Sequence, residues 1–405
     1  MKVALIAGAN GITGSYLIEH LLSSGEWTII AISRREPNSE WIAKDLPPNA
    51  LGSGRLRWIA ADLYRAGEHG LVELFEKNGV ADVEHLFWAA YAVADGWGTD
   101  SELEMNTKMF QNCLRAVSHV AGPRLKRVLL QLGGKWHIRK PAPKLPFRES
   151  AEPPNLPIAG FYTAQHKVLL EEHARKTGNW DWVVVLPNAI LGHTRQAQMT
   201  LATTIAIWAT VKATLGQPLN FPGTLQAYEA HGNETSADLL AEFLAWAATK
   251  PECALQVINC VNGDVHPWST TWPLIAAYFG CAPPDQNALR SSSVDSSKPS
   301  FAAEGDIDDA SAEKTWRMVC DRDKRLDVDA WKYGFQGLWF LDVVMSGQTS
   351  SYWSMSKARQ LGFAGYRDTE ESLWTIFDRM AKDGSLPNDL PGREGVKRVL
   401  SDVTL

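Results

Sequence analysis

A glycine turn near the start of the chain, Gly8-Ala9-Asn10-Gly11-Ile12-Thr13-Gly14, constrains the fold more than any other feature. An apolar run at residues 3–7 leads into it, and a helical pattern through Leu17, Ile18, Leu21 and Leu22 follows. A second apolar run at 27–32 then ends in Ser33-Arg34-Arg35. Strand, glycine turn, helix and strand in that order read as a dinucleotide-binding βαβ unit. Gly8 permits the tight turn, Gly11 lets the backbone approach a pyrophosphate, and Gly14 lets the helix pack close to the sheet. With Asn10, Ile12 and Thr13 between them, these residues are the expected phosphate cradle at the positive end of a helix dipole. The competing reading is a glycine turn with a structural role only.

The end of the second strand bears on cofactor choice. An NAD site commonly places an acid there for the ribose 2′-hydroxyl. Here Ser33, Arg34 and Arg35 stand in its place, with no acid before Glu36. Guanidinium groups match a phosphate in shape and charge, so NADP(H) is the expected cofactor. Two arginines that merely solvate a surface loop would look the same in sequence.

Strand and helix patterns continue to alternate. Residues 57–63 read as a third strand ending in Asp62 and Leu63, with Asp62 at the adenine end of the cofactor or capping a helix. Residues 83–90 read as a fourth, whose small Ala89 and Ala90 would let the cofactor lie close. A helix at 106–120, strands at 127–132 and 182–186, and then Pro187, Asn188 and Ile190 complete the series. The pattern predicts an α/β fold with a doubly wound parallel sheet of the Rossmann type. Ligands bind such sheets outside the carboxyl ends of the strands.

Beyond Pro187 helices dominate, at 200–215, 236–249, 268–279, 331–345 and 371–383, with a short strand at 255–261. The expected division is a cofactor domain at 1–190, rejoined by 228–262, and a smaller, mostly helical substrate lobe at 191–405. Residues 285–313, rich in Ser, Ala and Asp, read as a mobile loop. The tail after Leu386 reads as a surface arm suited to contact in a homodimer.

A formal net charge of −6 over 405 residues argues against nucleic acid or an anionic membrane as partner. No apolar run is long enough to span a bilayer, and no signal-peptide pattern opens the chain. The five cysteines, Cys113, Cys253, Cys260, Cys281 and Cys320, fit no metal spacing, so a reducing cytoplasm is the expected setting and no metal is expected. Most of the 17 tryptophans lie outside the glycine unit. Tryptophans are usually core residues, although some could line a pocket for a bulky apolar substrate.

Two groups stand where strand-end chemistry is expected: Lys135 in Gly133-Gly134-Lys135-Trp136-His137, and Tyr162 in Phe161-Tyr162-Thr163-Ala164-Gln165-His166-Lys167. A nearby ammonium would favour the tyrosine phenolate, and the hydroxyl can donate to an oxyanion. The Tyr-x-x-x-Lys spacing common in short-chain dehydrogenases is absent, because His166 falls at the lysine position. Either Lys135 replaces that lysine, or Tyr162 is a packed aromatic and Lys167 a solvated helix residue.

These residues resemble the progesterone 5β-reductase/iridoid synthase-like (PRISE) branch of the short-chain dehydrogenases. The resemblance continues through Asn106-Thr107-Lys108-Met109-Phe110-Gln111-Asn112, Pro218-Leu219-Asn220-Phe221-Pro222-Gly223 and Ala237-Asp238-Leu239-Leu240-Ala241-Glu242. It extends to Asn259-Cys260-Val261-Asn262-Gly263-Asp264-Val265, Ser354-Met355-Ser356-Lys357 and Gly362-Phe363-Ala364-Gly365-Tyr366-Arg367. It implies the extended short-chain dehydrogenase type of the Rossmann fold and NADPH-dependent reduction of the C=C bond of an enone or enal, with a lysine after strand five at the position of Lys135. The family's Phe-Tyr-Tyr followed by an acidic pair is here Phe161-Tyr162-Thr163, without the acids, and Leu186 replaces a basic residue before Pro187.

The expected reaction is 1,4-reduction of an apolar, terpenoid or polycyclic carbonyl compound. Tyr162 would donate to the developing enolate, and Lys135 would hold the ribose and lower the tyrosine pKa. The alternatives are a carbonyl reductase of the same fold, a redox-silent isomerase or cyclase, and an NADP(H)-sensing protein.

Overall fold

The computed structural model describes residues 1–36, 46, 51–93, 95–96, 98–149, 153–175, 180–195, 200–285, 309–331, 344–345 and 349–392. The chain opens with β1 (Lys2–Ala7), α1 (Ile12–Ser23), β2 (Trp27–Ser33), β3 (Leu56–Ala60) and α2 (Gly67–Lys77). It continues through β4 (His85–Trp88), α3 (Asp100–Ala121), β5 (Arg127–Gln131), α4 (Gly160–Ala174) and β6 (Asp181–Pro187). Then come β7 (Ile190–Leu191), α5 (Leu201–Thr214), α6 (Leu225–Glu229), β8 (His231–Gly232), β9 (Thr235–Ser236), α7 (Ala237–Thr249) and β10 (Gln256–Cys260). The last elements are β11 (His266–Pro267), α8 (Trp268–Phe279), α9 (Asp309–Arg322), α10 (Ser356–Gln360) and α11 (Thr369–Asp383).

These elements form two compact units. The first comprises residues 1–188, 237–261 and 353–366. Its seven strands run parallel in the order β10-β6-β5-β4-β1-β2-β3. Strands of a parallel sheet are covered on both faces, which is why β1, β4 and β6 read as nearly unbroken apolar runs. Leu5, Leu86, Val128 and Val184 pack with Phe75 of α2 and Phe110 and Leu114 of α3 in one cluster. The buried side chains of α3 recur at helical spacing, at Asn106, Met109, Phe110, Cys113, Leu114 and Val117. β1 is the reversal point, pairing with β2 on one side and β4 on the other. Its last residue, Ala7, lies opposite Ile32 and Trp88, so the crevice of a doubly wound sheet opens just beyond these three positions.

Two strands are shorter than their patterns suggest. β3 stops at Ala60 and β4 at Trp88, so Asp62, Ala89 and Ala90 lie on the turns beyond the strand ends. α3 begins at Asp100, ahead of the expected start, because the Thr99 hydroxyl caps it by accepting from the Glu102 amide.

The second unit comprises residues 189–236, 262–352 and 367–405. Its core is aromatic: Trp208, Trp268, Trp272, Trp316, Trp331 and Trp374 are all buried in one cluster with Phe221, Tyr278 and Phe377. These tryptophans therefore act as core residues. α5 is buried on every side from Leu201 to Lys212 and has no polar face. Its threonines meet that burial by donating back along the helix, Thr204 to the Thr200 carbonyl and Thr210 to the Ala206 carbonyl.

Two expectations in this unit change, and a third lies largely outside the described residues. Residues 286–308 lie outside the described residues, but the end of the expected loop, from Asp309, is the first turn of α9. The helix expected at 331–345 also falls largely outside the described residues. The tail does not leave the core at once as a surface arm, since Leu386 and Leu390 are buried and Pro391 lies against Gly280. Among the described residues no helix is long and apolar enough to cross a membrane. None of the five cysteines, all buried, is in a disulfide.

Candidate active site

At the end of β1 the chain turns through Gly8 at φ +88°, a conformation costly for any residue with a Cβ. Space closes the position as well. A Cβ on Gly8 would lie 2.6 Å from the Ala89 carbonyl oxygen and 2.7 Å from the Ala90 amide nitrogen. The two alanines thus pack against the back of the glycine turn. A Cβ on Gly14 would lie 2.4 Å from the Gly8 carbonyl, so α1 is seated directly on the turn. Gly11 is the N-cap of α1, with no side-chain cap and no acid in the first turn. The leading amides of α1, at Ile12, Thr13 and Gly14, therefore form an anion-binding helix end, which fits the pyrophosphate of a dinucleotide.

Asn10 reaches from this turn to the end of β2, where its amide donates to the Arg35 carbonyl at 2.9 Å. The Ser33 hydroxyl donates to the same carbonyl. The two bonds fix the backbone that carries the exposed Arg34 and Arg35. Asp62 caps its own turn, its Oδ1 accepting from the Tyr64 and Arg65 amides at 3.0 Å each. Leu63 is buried in the core, and its carbonyl accepts from Asn112.

The turn after β5 brings Lys135 to the same end of the sheet. It is a short 3-10 turn, Gly134–His137, anchored by two buried rings. Trp136 packs edge-on to His166 with centroids 5.3 Å apart. His137 stacks flat on Phe147 at 5.4 Å, and its Nε2 lies 3.1 Å from Asn259 Oδ1. The Asn259 amide nitrogen donates to the carbonyls of Phe147 and Ser354, so its oxygen is the acceptor and His137 carries its proton on Nε2. Burial pushes the His137 pKa down to about 4, so the ring is neutral.

Tyr162 comes to this turn from the first turn of α4. A Cβ on Gly133 would lie 2.7 Å from the Tyr162 hydroxyl, and one on Gly134 would lie 2.5 Å from Asn188 Oδ1. The diglycine is thus held between the tyrosine and Asn188, which follows the last residue of β6, Pro187. Thr163 is engaged elsewhere, its hydroxyl donating to the Pro154 carbonyl at 3.2 Å. His166 packs between Trp136 and Trp182, and Lys167 is exposed beside Glu171. Ile190 lies on β7, in the second unit, after Ala189 at the strained φ of +36°.

One electrostatic expectation is corrected. Burial, with the charge of Glu102 second, raises the Tyr162 pKa above the ordinary phenol range, where a lowering was expected. Burial lowers the Lys135 pKa, and Glu102 acts in the opposite direction.

The residues that hold this site together were not singled out from sequence. Asn106 clamps the loop after β4, accepting from the Ala92 amide and donating to the Ala92 carbonyl, both at 2.9 Å. Its own carbonyl accepts from Gln165 of α4 at 2.9 Å. Glu102, one turn earlier on α3, is almost wholly buried. In sequence, Thr99-Asp100-Ser101-Glu102 has the pattern of a capping box, which marks a helix start and hides any further role.

Comparison with known proteins agrees with this architecture. The PRISE-like Rossmann-fold domain model matches residues 4–382. An (S)-8-oxocitronellyl enol synthase of Camptotheca acuminata is 30% identical over 95% of this chain and 93% of its own length. A 3-oxo-Δ4,5-steroid 5β-reductase of Arabidopsis thaliana is 29% identical over 93% of this chain and 91% of its own. Among solved structures, the epimerase Mth375 of Methanothermobacter thermautotrophicus superposes with a TM-score of 0.62 at 14% identity, over 98% of this chain and 94% of that one, a likeness of fold. The match through nearly the whole length makes this chain a member of the PRISE-like Rossmann-fold family, within the oxidoreductases of the short-chain dehydrogenase superfamily.

Proposed function

We propose that the protein is an NADPH-dependent reductase of activated C=C bonds, acting on an apolar enone or enal in the cytoplasm. The observation that carries this reading is the placing of one hydroxyl. Tyr162 lies against Gly133, two residues before Lys135, while the neighbouring Thr163 hydroxyl is committed to a backbone carbonyl. The cofactor, when bound, supplies the hydride. The glycine turn and the uncapped start of α1 would hold its pyrophosphate, and Arg34 and Arg35 a 2′-phosphate.

Reduction at the β-carbon leaves negative charge on the carbonyl oxygen. A tyrosine that stays protonated is suited to donate a hydrogen bond to that oxygen, and the raised Tyr162 pKa supports this role. Lys135 is suited to hold the ribose. Burial lowers its basicity and the charge of Glu102 opposes that shift.

Turnover of a panel of enones and enals, with product identification, tests the reading. Tyr162→Phe should lower turnover by roughly 100- to 1,000-fold and leave NADPH affinity intact, as for loss of one oxyanion donor. Thr163→Val should behave as the parent. An alcohol product would move the assignment to carbonyl reduction. Full activity of Tyr162→Phe would remove Tyr162 from the mechanism.

A further inference from the structure

The turn that carries Lys135, Gly134–His137, is tied to the edge strand β10 by a side-chain hydrogen bond. His137, 1% exposed, donates from Nε2 to Asn259 Oδ1 at 3.1 Å. The strand order β10-β6-β5 puts β6 between the two residues, so the bond crosses a whole strand. The His137 Nδ1 is buried with no hydrogen-bond partner among the described residues, so Nε2 alone tethers the ring.

The two ends of this tether differ in freedom. Asn259 is fixed without His137. Its side-chain nitrogen donates to the Phe147 and Ser354 carbonyls at 3.1 Å each, and its backbone amide donates to Glu149 Oε1 at 2.9 Å. Its position on β10 is set opposite Leu186 of β6. His137 instead ends a short turn whose backbone bonds are local, from the Trp136 amide to the Gly133 carbonyl and from the Ile138 amide to the Lys135 carbonyl. Those bonds make the turn move as a piece, so whatever holds His137 also holds Lys135. Ring packing brings the parts together. His137 stacks on Phe147 at 5.4 Å and meets Trp353 edge-on at 6.0 Å, and a Cβ on Gly134 would lie 3.1 Å from Trp353 Cζ2. Stacked rings tolerate sliding, whereas an N–H···O bond weakens steeply off its axis, so the bond fixes where the turn stops. Gly133, at the head of the same turn, meets the Tyr162 hydroxyl.

We propose that His137 is a positioning residue of the reducing site, whose tether to Asn259 sets the turn bearing Lys135, and with it the diglycine seat of Tyr162, from the edge strand. The inference rests on the roles given to Lys135 and Tyr162 above. A misplacement of about 1 Å from a change outside the chemistry can cost on the order of 100-fold in rate, so loss of one tether is readable in turnover.

Two variants of the full chain separate the tether from the ring. His137→Phe keeps an aromatic ring against Phe147 and has no N–H, while His137→Gln keeps a side-chain N–H and has no ring. Each is compared with the parent in enone turnover, NADPH affinity and hydrogen exchange of the Trp136 and Ile138 amides, well below its own melting temperature. The expected result for His137→Phe is a kcat lowered about 10-fold, with faster exchange at both amides and parent-like exchange in the glycine turn at 8–14. His137→Gln should stay within about threefold of the parent, because the donor is restored. Parent-like kcat and exchange in His137→Phe would overturn the proposal. So would a Gln variant as slow as the Phe variant, since the ring and not the N–H would then be responsible. If His137→Phe does not fold, His137→Met, also without an N–H, takes its place with the same readings. Lys135→Met is run alongside. Faster exchange at a parent-like kcat, with Lys135→Met slow, would also overturn the proposal. If Lys135→Met turns over as the parent does, or the parent reduces no enone, the reading of the site has failed, and exchange, which needs no substrate, decides on the tether.

Discussion

The two units use buried polar groups in opposite ways. In the second unit two buried histidines are held by other side chains. His193 lies between Thr203 Oγ1 and Asp383 Oδ2, each at 3.0 Å, and His266 between Glu234 at 2.7 Å and Thr271 at 2.9 Å. At the strand-end turns of the first unit the main chain takes part directly. Glycines too crowded to carry a Cβ press against Ala89, Tyr162 and Asn188, and Asn106 grips the main chain of Ala92. These backbone-placed side chains gather at the carboxyl edge of the sheet, where ligands bind doubly wound folds.

The sharpest way to break this contrast is to remove a core tryptophan from the second unit. Trp272 is fully buried, donates to the Leu219 carbonyl at 2.9 Å and meets Phe221 edge-on at 5.2 Å. Trp272→Ala should cost about 3–5 kcal/mol in a denaturant melt. A raised KM with unchanged stability would instead make this tryptophan part of a substrate pocket.

Next in size is Gly133→Ala. The backbone there, at φ 171°, tolerates alanine, so the clash with the Tyr162 hydroxyl is the main consequence. Turnover should fall by roughly 100-fold with little loss of stability, the scale expected for a displaced reacting group. A parent-like rate would show that Tyr162 needs no such placement.

A smaller effect is expected at the exposed arginines. Replacing Arg34 and Arg35 by alanine should weaken NADPH by about 1.5–3 kcal/mol, the range for hydrogen bonds to charged groups, and leave NADH affinity as it was. Equal losses for both cofactors would show that the pair reads no 2′-phosphate.

The smallest effect concerns pH. Burial alone would lower the His266 pKa, but the Glu234 hydrogen bond and charge, with Asp264, raise it to about 9. A histidine whose pKa rises on folding contributes stability that is complete below its unfolded value of about 6.5. That contribution is lost as pH climbs through about 9. The melting temperature should therefore fall across this window, and His266→Gln should flatten the slope.

Much of the first unit was legible because its signals are local. The run from Val3 to Arg35 holds a strand, a turn and a helix start within a few residues, and each follows from what a glycine or an apolar run can do. The aromatic second unit was legible only as helices. Nothing local says whether Trp208 or Trp268 faces a core or a ligand, since both environments bury apolar area. The site was legible in part. Lys135 and Tyr162 stood out as reactive types near strand ends. Glu102 did not, because its capping pattern explains it locally, and its burial depends on Tyr91 and Gly98 folding over it.

By itself the sequence determined the doubly wound sheet, the glycine cradle at its switch point and the family, because these rest on backbone conformation and on apolar periodicity. Only the tertiary structure decided that Tyr162 and not Thr163 meets the diglycine turn, that Asn106 and Gln165 join two helices to one loop, and that the Glu102 carboxylate is buried against Tyr91 and Gly98. These are contacts between elements distant along the chain. Their energies depend on distances and on exclusion of water, which exist only once the sheet and helices have packed.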